Sequence, residues 1–150
     1  MSNRKKAARI FGHALTALLY VFAFVLIAAT VLYYIPRDVI DLTITANAAE
    51  FKDRNLTFSG EAQTYRNAVS EYERSIQCEG TRYFVSTLEF STQADPLRPV
   101  AFAIEAPDIV PLNTECVLII ESTHNVQLAP FLNRTLKDTF ESNTFIIKGE

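Results

Sequence analysis

Two hydrophobic patterns divide the chain. From Ala14 to Ile35 it reads ALTALLYVFAFVLIAATVLYYI, 22 residues in which only Thr16, Thr30 and three tyrosines carry polar atoms. From Val39 onward apolar and polar residues mostly alternate, the period of strands with one buried face. The first pattern predicts one membrane helix, and the second a small strand-rich domain.

At a rise of about 1.5 Å per residue the apolar run reaches roughly 33 Å, close to the ~30 Å hydrocarbon core of a bilayer. Tyr33 and Tyr34 stand where an interfacial aromatic belt belongs, and Pro36 is placed to stop the helix. None of the 14 Lys and Arg or the 17 Asp and Glu lies between Phe11 and Pro36. Arg4, Lys5, Lys6 and Arg9 precede the run with no acid among them, so the first 35 residues carry +4 and the remainder −7 of the net −3. By the positive-inside rule this predicts a signal anchor, with the N-terminus cytoplasmic and the C-terminal domain extracytoplasmic. A cleaved signal would have a shorter apolar region, about 7 to 15 residues, ending at a small-x-small site. Ala46-Asn47-Ala48, the best such site, lies beyond the charged Arg37, Asp38 and Asp41. The acidic bulk argues against nucleic acid as a partner.

Within the span Gly12, Thr16, Ala23 and Thr30 fall near one helical stripe. Small residues let membrane helices approach closely, so helix packing, including self-association, is an expectation for these four. His13 at the cytoplasmic edge needs no function. The expected organisation is a basic tail over 1–13, the transmembrane anchor over 14–35, a juxtamembrane segment with the first strand over 36–54, and the rest of the domain over 55–150.

In the outer part, Ile40, Leu42 and Ile44 alternate with Asp41, Thr43 and Thr45, and Leu56 alternates with Phe58. Phe84, Leu88 and Phe90 are assigned to one face of a strand over 82–91. Val100, Phe102 and Ile104 repeat the scheme, as do Cys116, Leu118 and Ile120, with a last strand at Phe145-Ile146-Ile147. Two stretches follow helical spacing instead: Tyr65, Val69, Tyr72 and Ile76, and Leu132, Leu136 and Phe140 after Pro130. Turns are expected at Gly60, Glu79-Gly80, Asp95-Pro96-Leu97-Arg98-Pro99, Ala106-Pro107-Asp108 and Pro111-Leu112-Asn113. Residues 46–54 read as a stalk. The fold class is a mostly-β domain, β-sandwich-like or α+β, behind a single N-terminal helix.

Cys78 and Cys116 both fall in the part expected to face an oxidising compartment, and a disulfide is predicted. Neither belongs to a Cys-x-x-Cys pair, which argues against a redox site. No Trp occurs, so the immunoglobulin pattern is not met.

The chain offers little chemistry. The outer part has one histidine, His124, in Glu121-Ser122-Thr123-His124-Asn125, which reads as a solvated polar turn. No serine lies in Gly-x-Ser-x-Gly, and the four glycines form no phosphate loop. Glu71, Glu73, Glu89 and Glu105 read as a solvated acidic surface. Asn55-Leu56-Thr57 and Asn133-Arg134-Thr135 match the N-glycosylation pattern. No catalytic residue, metal or cofactor is expected. The first expectation is a non-catalytic, membrane-tethered interaction or assembly subunit of a larger envelope complex, of secretion, conjugation, phage-exclusion or channel-accessory type. Its partners would be the bilayer and other envelope proteins. The alternative is a membrane-anchored carrier or sensor of an apolar or lipid ligand, with Phe84, Phe90, Phe102 and Phe145 lining a cleft.

Overall fold

The computed structural model describes residues 3–34, 38–129 and 132–149. The chain forms two units, residues 1–37 and 38–150. Unit one is a helix, α1 (Asn3–Tyr34), whose stretch Gly12–Leu32 is long and apolar enough to cross a membrane, with a mean hydropathy of 2.6. Thr16 donates to the carbonyl of Gly12 at 2.9 Å, and Thr30 to that of Leu26 at 2.8 Å. Each hydroxyl is therefore satisfied inside the helix, as an apolar surrounding requires. Gly12, Thr16, Ala23 and Thr30 lie exposed on α1. Pro36, the expected stop, and Pro130 lie outside the described residues, as do the side chains of Tyr33 and Tyr34.

Among its described residues unit two has nine strands: β1 (Ile40–Ala46), β2 (Glu50–Phe51), β3 (Asn55–Thr64), β4 (Ala68–Cys78), β5 (Thr81–Thr92), β6 (Asp95–Glu105), β7 (Glu115–Ala129), β8 (Leu132–Glu141) and β9 (Phe145–Ile147). One sheet runs β1-β3-β6, the other β2-β9-β7-β4-β5, with β8 also on β7. All pairs are antiparallel except β2 with β9. The inward side chains of the two sheets share one core, which makes the domain a β-sandwich.

That core is densest at one end. Phe145 lies 5.6 Å from both Phe51 and Phe58, edge-on to each, and Phe58 stacks on Phe102 at 5.6 Å. Leu56, Ile76 and Leu118 are fully buried beside them. Burying each such side chain contributes about 1.5–3 kcal/mol. Cys78 and Cys116 are register partners on β4 and β7 and form a disulfide within this packed end.

Several expectations are corrected. Residues 65–76 and 132–140 belong largely to strands β4 and β8, and no helix occurs among the described residues of the domain. On β4 the inward positions are Ala68, Ser70, Tyr72, Arg74, Ile76 and Cys78, in which polar residues hide the period of two. On β8 Asp138 does the same between Leu136 and Phe140. Gly60 is not a turn but the middle of β3, where a β-carbon would overlap the carbonyl oxygen of Thr43 on β1. Residues 95–99 are also strand. Pro96 and Pro99 are tolerated because β6 is the sheet's edge, where a missing N–H need break no ladder bond. Residues 46–54 are no stalk: β2 pairs with β9, and Phe51 is buried. A register shift between Arg74–Ser86 and Ser75–Phe84 leaves Val85 unpaired and turns Phe84 outward, 57% exposed, away from the face of Leu88. The side chain of Phe90 lies outside the described residues. The turn at Glu79-Gly80 stands, with φ of 48° and 82°, the left-handed pair of a tight hairpin.

Candidate functional site

The inward side chains shrink along β3, from Leu56 and Phe58 to Gly60, Ala62 and Thr64. On the facing sheet they pass from Ile76 and Leu118 to Tyr72 and Arg74 on β4 beside Ile120 on β7. The small residues of β3 leave the gap between sheets about 10 Å apart unfilled. The result is a cleft of about 590 Å³.

Its apolar wall comes from Ile40 and Leu42 on β1, Val100 and Phe102 on β6, Leu88 on β5 and Ile120 on β7. The exposed lining residues Ser91, Gln93, Ala94 and Arg98 put its mouth at the seam between edge strands β5 and β6. Asn67 closes the turn between them, its Oδ1 accepting from the amide of Ala94 at 2.9 Å.

Among the described residues three charged side chains line the cleft: Arg74, Asp95 and Arg98. Asp95 and Arg98 neutralise one another at 3.3 Å. Arg74 is half-buried, and its Nε donates to Ser86 Oγ at 2.9 Å. Among the described residues no carboxylate reaches its guanidinium, and burial alone pushes its pKa down. Cleft and arginine were not readable as a site in the sequence. The signal was present in the run Phe58-Ser59-Gly60-Glu61-Ala62, where inward residues lose volume, but it needs the pairing of sheets to acquire meaning.

Behind the cleft lies a buried polar cluster. His124, expected in a turn, sits in mid-β7 at 0% exposure. Its Nδ1 is 2.6 Å from Ser70 Oγ, and its Nε2 is 3.6 Å from an Asp138 carboxylate oxygen. Thr92 Oγ1 lies 3.3 Å from Ser70 Oγ and donates to the carbonyl of Ala68. Tyr72 meets the imidazole edge-on at 5.7 Å. Nδ1 accepting from Ser70, with Nε2–H turned toward Asp138, is the tautomer that suits both neighbours. Serine, histidine and aspartate thus stand in a row, yet Ser70 is wholly enclosed and does not line the cleft. A nucleophile needs access to its substrate, so the row is read as interior hydrogen bonding. Among the described residues no group of three His, Cys, Asp or Glu converges to hold a metal.

Burial holds the His124 pKa below its ordinary 6.5, outweighing the opposing pull of Asp138. The unfolded chain then takes up a proton near pH 6.5 that the folded domain refuses. Stability is full above that value and falls as the pH drops below it, by at most about 1.4 kcal/mol per pH unit for one proton. Urea midpoints should therefore fall between pH 7 and about 5, where carboxylates stay ionised. His124→Gln should flatten that profile. A midpoint that rises on acidification would mean that pairing with Asp138 wins over burial.

No protein-family profile and no curated protein matches the chain. Among solved structures it is similar to part of a β-glucosidase from Erythrobacter marinus, with a TM-score of 0.40 and 10% identity. The match covers 67% of this chain and 15% of that one. At that similarity the likeness bears on neither fold nor activity.

Proposed function

We propose that the protein is a membrane-anchored carrier or sensor that binds a small apolar molecule between the sheets of its β-sandwich. The observation that carries this reading is the cleft of about 590 Å³, apolar on most of its wall and open at one seam. That volume falls in the range of small-molecule sites, about 300–1,000 Å³. In this reading α1 spans the membrane with its basic end in the cytoplasm, and the domain sits in an oxidising compartment that keeps the disulfide. The first strand supplies Ile40 and Leu42 to the cleft.

The test is mass spectrometry of the full chain after gentle detergent extraction, on wild type and Ala62→Phe. Ala62 is buried on the cleft wall, so the larger ring fills the space while the packed end stays untouched. Wild type should carry a small apolar molecule in near-stoichiometric amount, and the variant at least about tenfold less. Equal occupancy in the two would place the molecule on the membrane helix and sink the cleft reading. A stoichiometric partner protein with an empty cleft would favour the assembly-subunit reading instead.

A further inference from the structure

We infer that the ligand of the cleft is an amphipathic anion, an alkyl carboxylate or phosphate monoester, whose head group pairs with Arg74. The inference rests on the cleft reading above and goes one step further, to the chemistry of the occupant.

A guanidinium held among apolar side chains without a counter-ion is costly, because burial removes the water that would solvate it. Such arginines ordinarily sit beside a carboxylate. Arg74 instead stands beside Ile120, its register partner on β7, in a cleft whose facing wall carries Leu42 and Phe102, and the carboxylate of Asp95 is committed to Arg98 at the rim. The lining therefore carries one uncompensated positive charge. Ser86 occupies Nε, which fixes the guanidinium and leaves Nη1 and Nη2 without an acceptor among the described residues. Those two nitrogens form the end-on fork that fits two oxygens of one carboxylate or phosphate. An apolar wall beside a single fixed cation suits one apolar chain ending in one anionic group. A neutral lipid would leave the guanidinium unpaired.

The test uses the full chain in zwitterionic micelles near neutral pH, following the methyl resonances of Leu42, Val100 and Ile120. The probes are octanoate, octyl phosphate and 1-octanol, which share one alkyl chain and differ in the head group. Octanoate, octyl phosphate or both should bind at least about tenfold more tightly than octanol. Whichever anion binds better identifies the head group. Arg74→Gln should bring the anions to the level of octanol and leave octanol unchanged, and Arg74→Lys, which keeps charge without the fork, should fall between. Arg74→Gln should also melt no lower than wild type, since it removes a charge that no carboxylate among the described residues pairs with. Three probes binding alike, or anion binding untouched by Arg74→Gln, would overturn the inference while the cleft reading stands. No saturable shift at these methyls with any probe would overturn both.

Discussion

Reducing the Cys78–Cys116 bridge is expected to lower the melting temperature of the domain by about 15 °C. The two cysteines are 38 residues apart, and closing a loop of that length removes roughly 4 kcal/mol of conformational freedom from the unfolded chain in the entropy model. For a domain of this size each kcal/mol shifts the midpoint by about 4 °C. The bridge fastens β4 to β7 beside Phe145 and Leu118, so its loss loosens the packed end first. The cleft is formed by residues farther along the same strands, and ligand binding well below the midpoint should survive reduction. The measurement is near-ultraviolet circular dichroism of the full chain with and without reductant, repeated on Cys78→Ala/Cys116→Ala. Coincident melting curves for oxidised and reduced wild type would mean that the bridge contributes nothing.

Gly60→Ala is expected to cost about 3 kcal/mol, the upper range for overpacking. An added methyl group meets backbone, the carbonyl of Thr43, which cannot rotate aside as a side chain would. Thr43 pairs with Glu61 and Ile44 with Gly60, so relief requires β1 and β3 to move apart. β1 carries Ile40 and Leu42, and its displacement should also weaken ligand binding in the cleft. Thermal unfolding and the octanoate titration report the two effects on one sample. A loss of stability below about 1 kcal/mol would show that the β1–β3 pairing yields easily, contrary to the close approach seen.

Strands whose inward positions are uniformly apolar were legible. β1, β3 up to Phe58 and the second half of β6 announce themselves by alternation, and the first half of β7 by an apolar run, Val117-Leu118-Ile119-Ile120, in which Ile119 is buried as well. Legibility fails where inward positions turn polar. Ser70 and Arg74 on β4, Ser122 and His124 on β7 and Asp138 on β8 all point inward, and each breaks the count. What remains of the apolar residues then falls by accident on a spacing of three and four. These breaks are the cleft and the polar cluster themselves, so the sequence was hardest to read where the candidate site lies.

Glycine and proline misled for a related reason. Gly60 marks a close approach of two backbones, and Pro96 and Pro99 mark a sheet edge. Both residue types punctuate turns more often, and only the identity of the neighbouring strand decides between the meanings.

The sequence by itself determined the long apolar helix, the strand-rich class of the domain and the placement of both cysteines beyond the helix. These follow from local quantities: run length, period and charge order. The tertiary structure alone decided that β4 and β7 are neighbours, that Cys78 and Cys116 are register partners and that Asp95 is committed to Arg98. It alone left Arg74, in an apolar cleft, without a counter-ion among the described residues. Pairing across 38 or more residues depends on which faces meet, and no local pattern along the chain encodes that meeting.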